Sequence, residues 1–362
     1  MRGIDLTQEH LFSTVHLESF VPQNHPIRPI RTLFNEAMKR ISGVIDCAYS
    51  EYGRESIPPE RLLRAQLLQV LYTIRSERQL VEQVSYNLLF RWFVGLSIDD
   101  PVWNHSTFSK NRDRLLEHDI IPMLFDEVVA LARKRDLLSE DHFSVDGTLI
   151  HAWASQKSFR PKDEDDNEPD NKGRNAEHDF HGEKRLNDTH ESRTDSEARN
   201  YKKSKGSEAK MAYLGHTLME NRNGLIVKAD ASLADGYAER EVALAQLKAL
   251  PGKHRKSVGT DKNYDTKAFV KGCRDSNITP HVARNDKRRG GSAIDGRTSR
   301  HEGYQISQKI RKRIEEGFGW GKTIGLIRQV KVRGLARVNA VFNFTFIGWN
   351  LMRMRNLQDQ SV

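Results

Sequence analysis

Three carboxylates stand out by their settings: Asp146, Asp261 and Glu315. Asp146 sits within His142-Phe143-Ser144-Val145-Asp146-Gly147-Thr148-Leu149-Ile150-His151, where β-branched and aromatic residues predict a strand. A carboxylate facing a core must find a partner or change its ionisation. A divalent metal ion is the least costly partner for one held rigidly; the alternative is a strand-end Asp that caps the turn at Gly147. Asp261 follows the short strand Ser257-Val258-Gly259-Thr260 and leads through a turn into a helix from Thr266 to Arg274. In open α/β sheets active groups gather at such strand ends. Glu315 falls in Gln308-Lys309-Ile310-Arg311-Lys312-Arg313-Ile314-Glu315-Glu316-Gly317-Phe318-Gly319-Trp320-Gly321-Lys322. If that stretch is helical, Arg311, Glu315 and Lys322 lie within about 40° of one line, an acid flanked by two cations. The same spacing describes an ordinary i,i+4 ion pair on a solvated helix, and the glycines imply close approach of backbones.

The elements before Asp146 read as helices. Ile30, Leu33, Phe34, Ala37, Met38 and Ile41 recur at three and four residues, and Leu62, Leu63, Leu67, Leu68 and Leu71 do so after the start signal Pro58-Pro59-Glu60. An all-α domain over 1–135 is predicted. Ser106 or Thr107 can cap a helix whose outer face carries Ser109, Lys110, Arg112 and Arg114. With the helix through Leu80, Val84 and Leu88 before it, this resembles a helix-turn-helix reader of a major groove. A plain bundle with a solvated basic face fits the same pattern.

The elements after Asp146 alternate strand and helix, giving a second domain over 136–362. Residues 157–210 are crowded with charged and small polar residues without apolar period, and read as an exposed or partly disordered insertion. His178, His181 and His190 within it lack ligand spacing and receive no site. Ala212 to Ala229 forms a hairpin about Asn221-Arg222-Asn223-Gly224. A helix from Ala238 to Leu250 and a strand from Ile278 to Ala283 follow. Lys287, Arg288, Arg289, Arg297 and Arg300 lie in the loop 284–300, where mobile cations suit a phosphate backbone.

Composition narrows the partners. Lys and Arg outnumber Asp and Glu by 58 to 49 in 362 residues, for a net charge of +9. With a pI near 9.4, this points to a polyanion, and nucleic acid is the default. Cys47 and Cys273 offer neither a zinc spacing nor a disulfide framework. The N-terminus lacks a signal peptide's pattern. The most apolar run, Val338 to Met352, is too short to span a bilayer and carries Asn339, Asn343 and Asn350. A cytoplasmic protein without membrane association is expected.

Taken together, an Asp on a first strand, an Asp 115 residues later and a Glu 54 residues beyond that resemble the triad of DDE transposases. Asp146-Gly147-Thr148, Asp261 before Lys262 and Tyr264-Asp265-Thr266, and Ile314-Glu315-Glu316-x-Phe318-Gly319-Trp320-x-Lys322 look like signatures of the bacterial insertion sequence family five, related to family four. The resemblance covers nearly the whole chain and implies an RNase H-like α/β catalytic core of mixed sheet. The family pattern is Tyr-x2-Arg-x3-Glu-x6-Lys. Here Arg311, Glu315 and Lys322 are in register, Gln308 stands where the Tyr belongs, and Tyr304 lies one helical turn upstream. These spacings favour Glu315 over Glu316.

What the resemblance implies is a transposase that binds the terminal inverted repeats of its element. Water first frees a 3′ hydroxyl at the element end, and that hydroxyl then attacks target DNA. Asp146, Asp261 and Glu315 would be the catalytic metal ligands for two Mg2+ ions, with Mn2+ able to substitute. Two ions about 3.5–4 Å apart serve both the attacking and the leaving oxygen. Arg311 and Lys322 would bind phosphate, and Lys110, Arg112 and Arg114 the duplex. A homo-oligomer on paired ends is expected. Two other classes compete: a sequence-specific DNA-binding protein whose site has decayed, and an RNase H-like nuclease that cuts without joining.

Overall fold

A computed structural model describes residues 14–49, 56–162, 185–202 and 206–359. The first part is helical: α1 (Leu17–Phe20), α2 (Ile27–Arg40), α3 (Ser42–Cys47), α4 (Pro59–Leu71), α5 (Glu77–Tyr86), α6 (Leu88–Val94), α7 (His105–Glu117) and α8 (Ile120–Lys134). The apolar periods explain them. α2 buries Ile30, Leu33, Phe34, Ala37 and Met38, and α4 starts with Pro59, whose fixed φ suits a first helical position. Ser76 and Asn87 cap α5 and α6 by accepting main-chain N–H bonds.

The helix-turn-helix expectation meets a different geometry. α6 ends at Gly95 in the left-handed region, and residues 95–104 separate it from α7. The motif's turn is only about three or four residues. The cap of α7 is Asn104, which accepts from the Ser106 N–H, rather than Ser106 or Thr107.

The second part begins with β1 (His142–His151), followed by β2 (Phe159–Pro161), β3 (His190–Ser192), β4 (Arg199–Tyr201), β5 (Lys210–Glu220) and β6 (Ile226–Leu233). It continues with α9 (Ala238–Lys248), β7 (Lys256–Thr260), α10 (Lys267–Asp275), β8 (Ile278–Val282), α11 (Gly296–Ser299), α12 (Glu302–Ile310), α13 (Arg313–Thr323) and α14 (Leu335–Asp359). The main sheet runs β4-β5-β1-β7-β8, with β6 also on β5. β1, β5 and β6 are antiparallel, whereas β7 and β8 run parallel to β1. Parallel neighbours need crossover connections, which α9 and α10 supply. Three antiparallel strands followed by two parallel ones, with helices on both faces, make the RNase H-like core.

The charged insertion is partly built into this core. β2 pairs with β3, β4 joins the edge of β5, and Phe159, Ser192, Asp195 and Ala198 are buried. His190 stacks on Phe159, while His178 and His181 lie outside the described residues.

The polar residues of the apolar C-terminal run have a structural task. Asn350 accepts from the Ile226 N–H at 2.9 Å and donates to the Ile226 carbonyl at 2.7 Å, and Asn339 accepts from the Ala231 N–H. α14 thereby occupies main-chain groups of β6 that would otherwise form an open edge. It also packs against α8, α4 and α2, so one apolar core runs through both parts of the chain. Among the described residues no helix is long and apolar enough to cross a membrane. Replacing Asn350 by Leu, of similar volume, strands two buried main-chain groups. Stability to urea should fall by about 2–4 kcal/mol, and an unchanged unfolding midpoint would show that the edge does not depend on this contact.

Candidate active site

β1 and β7 determine where the aspartates meet. Their parallel pairing sets Ser144 opposite Gly259. Two residues further along each strand are Asp146 and Asp261, which therefore occupy neighbouring positions on the same face where the strands end their pairing. One oxygen of each is held locally. The Gly147 N–H donates to Asp146 Oδ1 and the Asn263 N–H to Asp261 Oδ1, both at 2.8 Å.

The third acid arrives on a helix that crosses this face. Ser144 pairs with Gly259 on one side and Met219 on the other, so these three form a row across the sheet. At the β7 end of the row, a Cβ on Gly259 would lie 2.9 Å from Ser307 Oγ and 3.1 Å from Arg311 Cβ. At the β5 end, a Cβ on Gly317 would lie 3.4 Å from Met219 Cε. The residues between Arg311 and Gly317 thus pass over β1, one step of the pleat away from Asp146.

Which flank of α13 each side chain occupies follows from its buried stripe, Ile314, Gly317, Phe318 and Gly321. Glu315 lies about 110° from the centre of that stripe, and Glu316 about 150° on the other side. Arg313, on the flank opposite Glu315, donates to the carbonyls of Asn221 and Arg222. Asn221 in turn bonds the His142 carbonyl at the start of β1. The Glu315 flank therefore faces the Asp146 and Asp261 end, and Glu316 faces outward. Lys322, seven residues on, shares the Glu315 flank, and its charge helps burial to lower the pKa of His151.

The single helix expected over 308–322 is instead α12 and α13 joined through Arg311 and Lys312, both in the right-handed helical region. The Ile314 and Glu315 N–H groups bond three residues back rather than four, which tightens the junction. Gln308 acts at this junction. Its amide nitrogen donates to the His281 carbonyl and its oxygen accepts from Arg311 Nε at 3.0 Å. Tyr304 donates to the Val282 carbonyl and meets the His281 ring edge-on, so it is committed to β8.

Other cations stand differently from expectation. Lys110 is exposed on α7. Arg112, expected on an outward reading face, is turned inward: it pairs with Glu77 and Asp113, and burial lowers its pKa. Arg114 lies 4.8 Å from the centre of the Tyr49 ring. The basic loop 284–300 is fastened beside the site by buried Asp265, whose carboxylate accepts from the Asn285 and Ala293 N–H groups.

Two features escaped the sequence reading. A Cβ on Gly147 would lie 2.7 Å from Glu239 Oε1, so Gly147 leaves room for a fourth carboxylate on the opposite face. The acidic first turn of α9, Glu239 and Glu241, was the available signal. Gln308 carried no signal beyond its mismatch to the family pattern.

The donor set, carboxylate oxygens on rigid elements, suits a hard cation such as Mg2+. Among the described residues no three His, Cys, Asp or Glu side chains are gathered tightly enough to hold an ion as they stand. The aspartates form the strand-borne pair, and exposed Glu315 has the freedom to reach them.

An RNase H-like sheet with paired aspartates at its centre defines the fold class. The Transposase DDE domain model matches residues 138–351, more than half of the sequence, and the chain belongs to that family. The Transposase domain (DUF772) model matches residues 15–114. No curated protein matches the sequence. Among solved structures the chain is similar to a piggyBac transposase in a synaptic complex with hairpin DNA. That match has 12% identity and a TM-score of 0.42, covering 93% of this chain and 76% of the other.

Two buried histidines couple this region to pH. Burial pushes His281 down to about 4, aided by the charges of His142 and His301, and pushes His216, opposite Gly147 on β5, to about 4 as well. Between the unfolded value near 6.5 and about 4, the unfolded chain binds protons that the folded chain does not. Stability present above pH 6.5 is therefore lost as pH falls, by up to about 3 kcal/mol for each histidine. Urea unfolding from pH 7 to pH 4 should show this slope, and His281→Gln should remove about half of it. A slope unaltered by that substitution would assign the acid sensitivity elsewhere.

Proposed function

We propose that this chain is the transposase of an insertion sequence, which binds the terminal inverted repeats of its element, cleaves there and joins the freed 3′ hydroxyl to target DNA. What supports the reading most is the shared row of β1 and β7, which sets Asp146 beside Asp261 under the flank of α13 that carries Glu315. Asp146, Asp261 and Glu315 would hold two Mg2+ ions, for which Mn2+ substitutes. Mg2+ is bound through few carboxylates together with substrate phosphate, so these three side chains would suffice to hold it. When bound, the ions stabilise charge on the attacking and leaving oxygens.

The chain's own groups do the rest. Gln308 orients Arg311, and Arg311 and Lys322 bind the phosphates flanking the cut as hydrogen-bonding cations. The loop fastened by Asp265 adds charge that tracks the backbone, with counterion release contributing to affinity. On the helical part Lys110 is exposed and would meet DNA, while Arg112 and Arg114 act chiefly by holding α7 in place. The active form is a homo-oligomer on paired ends.

Incubation with element ends, a supercoiled target plasmid and Mg2+ tests this. Joined products support the transposase; cleavage without joining points to a nuclease; specific binding without cleavage points to a decayed enzyme. Within the transposase reading, Asp146→Asn, Asp261→Asn and Glu315→Gln should each cost more activity than the 10–100-fold typical of losing a mere supporting contact. End binding should persist. Glu316→Gln should keep most activity, with stability changed by no more than about 0.5 kcal/mol. The reverse pattern would move the ligand to Glu316.

A further inference from the structure

We infer that Trp153 is a stacking site for an unpaired DNA base, set in a basic groove between the helical part and the segment leading from α13 into α14. The inference takes its ligand, DNA, from the transposase reading but rests on Trp153 and the cations around it, of which only Lys322 is shared with the acid site. The groove encloses about 1310 Å3, with α4, α5 and α7 on one side and residues 322–344 on the other. Arg75, Lys322, Arg328, Lys331, Arg333 and Arg337 line it, against the acids Glu77 and Asp113. Both acids already have partners, Glu77 in Arg112 and Asp113 in Arg112 and Arg337. The balance left over is positive and calls for a polyanion.

Trp153 supplies what a phosphate backbone alone does not require. It is 44% exposed, while its neighbours Ala152 and Ala154 are buried at 1% and 8%. The backbone here is pinned: the Ala152 N–H donates to the Met211 carbonyl, and Gln329 donates to the Ala152 carbonyl. With both neighbours turned inward, the indole has only the groove to face. Lys331 Nζ lies 5.6 Å from the centre of the ring. A rigid aromatic surface beside cations is how single-stranded nucleic acid is held, bases stacking on the ring and phosphates meeting the charges.

Trp153 lies beyond the end of β1 at His151, seven residues after Asp146, so the ring stands on the segment that leaves the strand and not among the acids.

Binding measured without divalent metal isolates this from catalysis. The probes are a duplex with a single-stranded oligothymidine tail, the same duplex with an abasic tail, and the blunt duplex. Wild-type protein should prefer the thymidine tail over the abasic tail by about tenfold, within the range for one stacked base. Trp153→Leu should abolish that preference and leave blunt-duplex affinity within about twofold, whereas Trp153→Tyr should keep most of it. Melting temperature monitors folding, and the wild-type comparison of the two tails decides the matter of base recognition even if the Leu variant is unstable. No preference in the wild type, or a preference that survives in the Leu variant, overturns the inference. Equal weakening of all three probes by Trp153→Leu does so too, since the ring would then merely shape the groove, as would displacement of all probes alike by polyglutamate. A tail preference in a protein that never cuts element ends would leave this site standing and the transposase reading fallen; cutting without the preference would do the opposite.

Discussion

Everything at the centre of this molecule depends on the parallel register between β1 and β7. Sliding β7 by one residue would turn Asp261 to the other face of the sheet. Ser144, Thr217 and Val258 are buried around the pair, and the Gly147 and Asn263 N–H groups each donate to one carboxylate oxygen, which fixes the side chains where the register puts them.

Close approach of helices turns that pair into a site. Gly259 admits Ser307 and Arg311 onto β7, Gly317 admits Met219 from the sheet, and Gly215 leaves room for Phe342 of α14. A Cβ at Gly215 or Gly259 would come within 3 Å of the packed helix and force it off the sheet, whereas at Gly317 it would make an ordinary contact. The same economy shows at the outer edge, where asparagines of α14 satisfy β6 and so couple the helical part to the main sheet.

Much of this was legible in advance, for identifiable reasons. The β1 and β7 strands announce themselves by β-branched residues ending at an acid, and the cap Thr266 before α10 lies where the strand–turn–helix pattern puts it. The choice of Glu315 over Glu316 as candidate ligand was read from spacing to Arg311 and Lys322, and the helix flanks give that choice a geometric counterpart. What could not be read was anything set by contacts between distant residues. Arg112 looked like a free cation because its partner Glu77 lies on another helix. The helix-turn-helix resemblance failed on the length of the connection after Gly95, where a left-handed glycine ends one helix without starting the next. Composition alone made residues 157–210 read as an exposed or partly disordered insertion, although Phe159 and Ala198 are core residues.

Gln308 shows how one side chain ties the helix junction to the sheet. An amide offers a donor and an acceptor at one position, and here the donor meets the His281 carbonyl while the acceptor meets Arg311 Nε. One turn earlier, Tyr304 bonds the Val282 carbonyl. Successive carbonyls at the end of β8 thus hold successive turns of α12, and the guanidinium of Arg311 is held by Gln308 of that helix, which is itself fixed to the strand. The plane of the Arg311 guanidinium is therefore set by a chain of hydrogen bonds that starts at the sheet, since a planar fork bonded at Nε keeps its remaining donors in one direction.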